Sequence, residues 1–320
     1  MNNILFNENG MVTAKTVNEL AENNVNELVR LCEEHYDGQL EAVAKLLLSN
    51  TCYKIVLIAG PSGSGKTTTA RKLSEKIVKG GKNAVYVSLD DFFLNRDELP
   101  ILENGETDFE SVNTLDINEI RKCFGLLLSG EKTTIPYFDF ISGKREAEKA
   151  RVLETGENDI VIVEGLHAIN PQLTDGIEAF GNKGFYKLFV NPLSQIYNED
   201  GTPVLKRRNL RLMRRMIRDY FFRGSSFENT LNMWEGVCRE EIKTIIPFKD
   251  SADCVIDTTH FYEPCIYHHY LLPIMEKSEF TNPEHAAALR ELADKLEVFY
   301  DAAASIVPEN SMIREFIGDK

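Results

Sequence analysis

The chain has 320 residues, of which 43% are hydrophobic and 27% are charged, and its formal net charge at pH 7 is −14. This composition is that of an ordinary globular protein and excludes a fibrous or disordered chain. The negative charge argues against a general nucleic-acid or membrane-surface binder, because such proteins need a positive field to attract phosphates. The length predicts one catalytic domain with helical additions.

The six cysteines contain no C-x-x-C pair, and no histidine–cysteine cluster has the spacing of metal ligands. We therefore expect reduced thiols in the core. Residues 1–8 lack the basic start and the long apolar run of a signal peptide, and no segment approaches the ~18 apolar residues of a membrane span. A cytoplasmic location is expected.

Residues 1–52 are predicted to form a helical N-terminal extension. The pattern Thr16-Val17-Asn18-Glu19 is typical of a capping box at the start of a helix, and apolar residues follow at helical spacing. Asp37-Gly38 is predicted to end this helix. A second helix would then carry Leu40 and Leu47 on one face, which we expect to pack on the core.

A phosphate-binding loop is predicted at Gly60-Pro61-Ser62-Gly63-Ser64-Gly65-Lys66-Thr67, which fits G-x-x-x-x-G-K-[ST] at every fixed position. A strand is predicted before it, at 53–59, and a helix after it, at 68–78. Backbone N–H groups and the helix N-terminus would face the phosphates. Lys66 should reach the β- and γ-phosphates, and the Thr67 hydroxyl should ligate Mg²⁺. The alternative, a turn without a ligand, does not require Lys-Thr at its end. The predicted nucleotide-binding residues are Gly60, Ser62, Gly63, Ser64, Gly65, Lys66, Thr67 and Thr68.

Two further predicted strands lead into carboxylates. The strand 83–89 is followed by Asp90, and the apolar run 159–163 is followed by Glu164. Ligands collect at the carboxyl ends of parallel strands, so both acids should face the crevice of the phosphate loop. Asp90 could take the proton of an attacking hydroxyl and lie near a metal, and Glu164 is the natural second carboxylate beside Mg²⁺. The alternative is that these acids cap helices.

A β-hairpin excursion is predicted around residues 133–153, with aromatic residues near its tip. The rings of Phe138 and Phe140 could pack within the hairpin or stack on a planar group of a substrate. Further strands are predicted at 186–190 and 254–257. The alternation of strands and helices predicts a three-layer α/β architecture with a mostly parallel sheet.

The segment 206–223 is a basic helix that holds eight of the chain's 36 basic residues. Like charges on one helix face repel and need a counter-anion, for which nucleotide phosphates are the candidate and a small RNA-binding surface is the alternative. Residues 223–226 are predicted to form a mobile lid that brings arginines over a γ-phosphate. The arginines that share one face are Arg211, Arg214, Arg215 and Arg218.

Helices are predicted beyond this segment, at 227–246, at 263–276 and from Asn282-Pro283 onward. The last helix could either mediate dimerisation or cover the core. The predicted organisation is a helical extension at 1–52, a P-loop kinase domain at 53–260 and a C-terminal helical extension at 261–320 that packs on the kinase domain.

From about residue 53 to residue 260 the chain resembles the uridine kinase and phosphoribulokinase family of P-loop kinases. Its ends, including residues 310–316, resemble those of bacterial nucleoside kinases. The blocks that carry the family likeness are Gly60–Thr67, Ser88–Phe93, Pro136–Phe140 with Arg145, Ile162–Gly165, and Arg211–Asp219 followed by Arg223-Gly224.

The resemblance implies a P-loop NTPase fold with an arginine-rich lid, and transfer of a phosphoryl group from ATP, with Mg²⁺, to a hydroxyl of a small molecule. The 5′-OH of a nucleoside is the leading acceptor. Alternatives are a sugar phosphate, a pantothenate-like alcohol or another polyol, and, from a different class, an ATP-dependent RNA-binding switch.

The resemblance also implies roles for individual residues. Asp90 would be the catalytic base, aided by Lys66, Arg218 and Arg223, and Mg²⁺ would lie among Thr67, Asp90 and Glu164. Two positions depart from the uridine-cytidine kinase pattern, since Gly143 replaces a base-reading histidine and Asn113 replaces a ribose-binding aspartate. The implied acceptor-site residues are Phe93, Asn113, Phe138, Phe140, Arg145 and Arg215.

Overall fold

The computed structural model describes residues 5–6, 9–101, 105, 107–109, 111–177 and 184–318. The α-helices are α1 Ala14–Ser49, α2 Lys66–Lys79, α3 Ile117–Leu128, α4 Pro171–Thr174, α5 Arg207–Arg223, α6 Phe227–Thr244, α7 Glu263–Met275, α8 Pro283–Glu297 and α9 Arg314–Ile317. The strands are β1 Val12–Thr13, β2 Ile55–Ala59, β3 Asn83–Ser88, β4 Thr133–Ile135, β5 Phe138–Asp139, β6 Lys144–Arg145, β7 Arg151–Leu153, β8 Asp159–Glu164, β9 Phe185–Asn191, β10 Ile196–Tyr197, β11 Pro203–Leu205 and β12 Cys254–Asp257.

A five-stranded sheet with the order β12-β9-β2-β8-β3 forms the centre of the fold, and every neighbouring pair in it is parallel. These are the five strands that the apolar runs of the sequence predict. In a parallel sheet all strands end at the same edge, which brings the residues after β2, β3 and β8 together. This edge carries the candidate site.

The sheet is covered on both sides, as near-continuous apolar strands require. Val56 and Ile58 of β2 belong to one hydrophobic cluster, which includes residues of α1, α2, α5 and α7. Ile55 and Leu57 point to the opposite side, where the cluster includes residues of α3. This arrangement of helices, sheet and helices confirms the predicted three-layer α/β fold.

The N-terminal helix differs from its prediction. A single helix runs from Ala14 to Ser49, and its one non-helical residue is Asn24, so Asp37-Gly38 does not end it. Glycine inside a helix costs only about 1 kcal/mol, and the buried side chains on either side of Gly38, Tyr36 and Leu40, offset that cost. The N-cap is Thr13, whose hydroxyl accepts the Thr16 N–H, and not Thr16 itself.

The predicted hairpin excursion consists of two antiparallel pairs, β4 with β7 and β5 with β6. A second small sheet has the order β1-β10-β11 and was not predicted, because its strands have only two or three residues each. It joins the start of α1 to the segment that precedes α5. In the described part of the chain, no helix is both long and apolar enough to span a lipid bilayer.

The division of the chain into residues 1–52, 53–260 and 261–320 remains a prediction. Residues of α1, α7 and α8 share one hydrophobic cluster with the central sheet. α1 also contacts α2 directly, where the Tyr36 hydroxyl lies 2.7 Å from the Thr69 hydroxyl.

Candidate active site

The loop between β2 and α2 has the backbone shape that the phosphate-loop pattern requires. Gly65 adopts φ +87°, a left-handed conformation that favours glycine, and it directly precedes α2. Gly60 lies so close to β9 that a Cβ there would be 2.1 Å from the Val190 carbonyl oxygen. Both glycines are therefore needed for the loop to pack against the sheet and curl at the start of α2.

The loop forms one wall of a pocket of about 340 Å³ at the carboxyl edge of the sheet. The pocket brings together residues that are far apart in the sequence, including residues of the phosphate loop, the ends of β3 and β8, and α5. The predicted site residues that line it are Ser62, Gly63, Ser64, Gly65, Lys66, Thr67, Asp90, Phe93, Phe140, Glu164, Arg215, Arg218 and Arg223. Those outside the lining are Gly60, Thr68, Asn113, Phe138 and Arg145.

Lys66 and Glu164 form an ion pair on the floor of the pocket. The Lys66 Nζ lies 3.9 Å from Glu164 Oε1, and the Tyr86 hydroxyl donates to Glu164 Oε2 at 3.1 Å. The Glu164 carboxyl is buried, and this desolvation raises its pKa to about 7, against the lowering effect of Lys66. A buried carboxylate with a raised pKa favours a cation as a neighbour.

Asp90 faces the pocket from the short 3₁₀ helix Leu89–Phe92 that follows β3. Ser88 caps this turn by accepting the Asp90 N–H, so the Asp90 carboxylate is not used as the cap. Desolvation by the surrounding protein raises its pKa, while Lys66 and Arg223 oppose that rise. A carboxylate with a raised pKa is a stronger proton acceptor than a solvated one.

The arginine face of α5 does not act as one unit. Arg211 and Arg214 are buried and form ion pairs with Glu241 and Glu263 respectively. Their counter-anions are therefore protein carboxylates and not the phosphates that the sequence pattern suggested. The sequence could not reveal this, because the two glutamates come from α6 and α7. In Arg214 the guanidinium binds Glu263 with two nitrogens, at 2.7 and 2.5 Å.

Arg215, Arg218 and Arg223 all lie against the carboxylate of Asp219. Arg215 Nε lies 3.2 Å from Asp219 Oδ2, and Arg218 Nη2 and Arg223 Nη1 lie 3.0 and 3.6 Å from Oδ1. Arg215 also donates to the Ser62 hydroxyl of the phosphate loop at 3.2 Å. A single buried carboxylate therefore gathers three arginines on one wall of the pocket.

The predicted lid, residues 223–226, is a tight link between α5 and α6. Gly224 adopts φ +62° at the end of α5, and the N–H groups of Gly224 and Ser225 donate to the Asp219 carbonyl. Ser226 caps α6 by accepting the Asn229 N–H. Closure of this region over a γ-phosphate remains a prediction.

Three phenylalanines form a cluster at the mouth of the pocket. Phe93, Phe138 and Phe140 have ring centroids 5.0 to 5.6 Å apart. Phe138 is buried beneath the other two, whereas 57% of Phe140 is exposed. Phe93 and Phe140 therefore present ring surface to the pocket, and Phe138 supports them.

Arg145 supports the pocket wall from behind. Its guanidinium donates to the carbonyl oxygens of Phe92 and Phe93, each at 2.8 Å, and to Glu119 at 2.6 Å. These bonds fix the backbone that follows Asp90. Asn113 is exposed, and its neighbours Thr114 and Leu115 line the pocket in its place.

The pocket also includes residues that the sequence reasoning missed. Leu166 and His167 directly follow the strand end at Glu164-Gly165, so their position in the motif could have revealed them. Phe109 lies in a segment without a recognisable pattern. Glu315 gave no signal, because it lies 247 residues beyond its hydrogen-bond partner Thr68.

Comparison with known proteins supports the interpretation of this pocket. Residues 55–173 match the model of the Phosphoribulokinase / Uridine kinase family. This segment includes the phosphate loop, Asp90, the hairpin excursion and Glu164.

Among curated proteins, the uridine kinase of Halobacterium salinarum is 25% identical over 200 residues, which cover 62% of this chain and 77% of that protein. The uridine kinase of Deinococcus deserti is 25% identical over 213 residues, or 66% of this chain and 91% of that protein. The uridine kinase of Saccharomyces cerevisiae is 28% identical over 246 residues, which cover 74% of this chain but 42% of that larger protein.

Over residues 55–173 the chain is therefore similar to the phosphoribulokinase and uridine kinase family, which supports ATP-dependent phosphorylation of a small molecule.

Proposed function

We propose that this protein transfers the γ-phosphoryl group of ATP to the 5′-OH of a nucleoside, with Mg²⁺. The observation that carries the proposal is the convergence of Lys66, Asp90, Glu164, Arg218 and Arg223 in one pocket. Phosphoryl transfer needs a phosphate cradle, a base and cations that stabilise negative charge in the transition state. The compartment that we propose for it is the cytoplasm.

The donor side of the site is the phosphate loop. The N–H groups of residues 62–67 and the Lys66 ammonium are the proposed ligands of the β- and γ-phosphates. Arg218 and Arg223 line the same pocket and would bind the phosphoryl group as it moves to the acceptor. Lys66 and these arginines supply positive charge where negative charge develops on the transferred oxygens, which stabilises the transition state.

The oxygen atoms in the pocket fit a magnesium ion. Among the described residues there is no set of three or more His, Cys, Asp or Glu side chains arranged to hold a metal. Mg²⁺ typically binds one or two carboxylates and completes its shell with waters and substrate phosphates, so it requires only a few protein ligands. The proposed ligands are Thr67, Asp90 and Glu164. A bound Mg²⁺ would neutralise charge on the β- and γ-phosphates.

Asp90 is the proposed catalytic base. Its carboxylate would take the proton of the acceptor hydroxyl, whose oxygen then forms a bond to the γ-phosphorus. The bond between that phosphorus and the β–γ bridging oxygen breaks, and ADP leaves. The raised pKa of Asp90 supports this role because it makes proton transfer to the carboxylate more favourable.

The acceptor side supports a planar substrate group. Phe93 and Phe140 present ring surface beside Asp90, and a nucleobase could stack on them. An acceptor without an aromatic ring, such as a sugar phosphate or a polyol, would not stack on this surface. The RNA-binding alternative loses its main support, since Arg211 and Arg214 are buried in ion pairs.

The test is ATP consumption across a panel of nucleosides, sugar phosphates and polyols, with the phosphorylated product identified by mass spectrometry. We expect one nucleoside to be turned over far faster than any other acceptor and to yield a 5′-monophosphate. Preference for a sugar phosphate or polyol would overturn the nucleoside assignment and retain the kinase. A rate that no acceptor raises above the acceptor-free rate would overturn the kinase assignment.

A further inference from the structure

The segment that contains Met312 and Glu315 packs directly on the phosphate loop. Met312 is fully buried, and its sulfur lies so close to Gly65 that a Cβ at that glycine would be 2.6 Å away. Glu315 belongs to α9 and lines the pocket. A part of the chain about 250 residues away in sequence thus forms a wall of the proposed donor site.

The carboxylate of Glu315 binds the start of α2. Its Oε2 atom accepts the Thr68 N–H at 3.2 Å and the Thr68 hydroxyl at 2.7 Å. Thr68 is the third residue of α2, and the first N–H groups of a helix attract anions because they have no partner within the helix. Glu315 therefore satisfies donors of the kind that a phosphate loop offers to a nucleotide.

The backbone on either side of Glu315 is held in place independently of this contact. The Ser311 hydroxyl donates to Glu33 at 2.5 Å and lies 2.9 Å from the Tyr262 hydroxyl. Phe316 is fully buried, and its ring stacks on the guanidinium of Arg214. A rotation of the Glu315 side chain would release Thr68 without detaching the segment.

We propose that Glu315 is a residue of the donor site that lowers and sets the affinity for ATP. This inference rests on the proposed function. The Glu315 carboxylate and a phosphate oxygen of ATP compete for the N–H and hydroxyl of Thr68, since both are anionic acceptors of the same hydrogen bonds. Binding of a nucleoside triphosphate displaces the carboxylate, and the remaining negative charge at the pocket wall weakens the complex.

The experiment measures the dissociation constant of ATP by calorimetry for the wild type and for Glu315→Gln. The control is Glu309→Gln, which removes an exposed charge from the same part of the chain. We expect Glu315→Gln to bind ATP about tenfold more tightly, because one charge-assisted hydrogen bond that competes with the phosphate is lost. The ATP affinity of Glu309→Gln should be unchanged. Glu315→Asp keeps the charge but shortens the reach, so we expect it also to bind ATP more tightly, and it replaces Glu315→Gln should that variant fail to fold.

Equal or weaker ATP binding in a folded Glu315→Gln protein would overturn the inference, because the carboxylate would then act only as a helix cap. Inorganic triphosphate serves as a second probe that lacks a nucleoside. If Glu315→Gln gains affinity for triphosphate and for ATP to a similar extent, the result supports competition for a phosphate position. If the wild type binds neither probe, the proposed function itself is overturned. If the wild type and the variant bind ATP equally well, only the inference about Glu315 is overturned.

Discussion

Lys66 Nζ lies 3.9 Å from Glu164 Oε1, so the cation of the phosphate loop and the carboxylate at the end of the neighbouring strand share the floor of one pocket. The contact joins the first residue of α2, the helix after β2, to the last residue of β8, and the hydroxyl of Tyr86 on β3 donates to the other oxygen of Glu164. Three adjacent parallel strands therefore fix this carboxylate. Its position follows from the sheet and not from a flexible loop.

The burial of Glu164 predicts a pH-dependent stability in EDTA. Its pKa is raised from 4.5 to about 7 in the folded protein. Between about pH 4.5 and pH 7 the folded protein retains a proton that the unfolded chain has lost, so the free energy of unfolding falls as pH rises through this window, by on the order of 3 kcal/mol. Glu164→Gln removes this titration. Urea unfolding of both proteins at several pH values measures the difference, and parallel pH profiles would contradict the assignment.

Two neighbouring arginines of α5 should respond to substitution in opposite ways. Arg214→Met leaves Glu263 buried without its partner and is expected to cost about 3 to 5 kcal/mol of unfolding free energy. Arg215→Met leaves Asp219 paired with Arg218 and Arg223, so we expect a smaller loss of stability, of about 1 kcal/mol, and a turnover that is lower by at least about tenfold because a charge in the pocket is lost. Urea unfolding and steady-state kinetics of both variants test this. Similar losses of stability would show that the two arginines are not distinct.

Arg145 is expected to act as a positioning residue. Arg145→Met leaves the carbonyl oxygens of Phe92 and Phe93 without their donor, which should destabilise the protein by about 1 to 3 kcal/mol. Because these residues follow Asp90 and carry the ring of Phe93, the KM for the acceptor should rise more than the KM for ATP. The exposed neighbour Lys144→Met is the matched control. A larger effect on ATP than on the acceptor would contradict this role.

Asp219 should be required for the arrangement of the three arginines that line the pocket. Asp219→Asn keeps the shape of the side chain but removes the charge that balances Arg215, Arg218 and Arg223. The three cations would then repel one another without a shared anion, and we expect kcat to fall about tenfold or more. The kcat of Asp219→Asn is measured at low and at high salt. Salt screens the repulsion among the arginines and should restore part of the rate. An unchanged kcat would show that the arginines are positioned without Asp219.

Much of this fold could be predicted because its signals are local. The five central strands are short apolar runs, and the phosphate loop is a contiguous motif between a strand and a helix. Once the sheet is parallel, Asp90 and Glu164 must meet at its carboxyl edge. The order of the elements along the chain places these two carboxylates there, whatever their side-chain partners.

The remaining features depend on partners that are distant in sequence. The pattern of α5 showed four arginines on one face, but Glu241 and Glu263 determine which of them are buried. The Gly38 position looked like a break because glycine is a poor helix former, and tertiary packing outweighed that preference. Glu315 reaches Thr68 across almost the whole chain, so no local pattern could indicate it.

The most direct test of the central claim is the turnover of Asp90→Asn, with Asp91→Asn as the control. Asp91 is the adjacent carboxylate and does not line the pocket. If Asp90 takes the proton of the acceptor hydroxyl, its amide variant should lose a factor of at least ~100 in kcat while it still binds ATP, as general-base effects of this kind require. Asp91→Asn should retain most of the wild-type rate. Turnover of Asp90→Asn equal to that of the wild type would contradict the proposed catalytic role and the mechanism built on it.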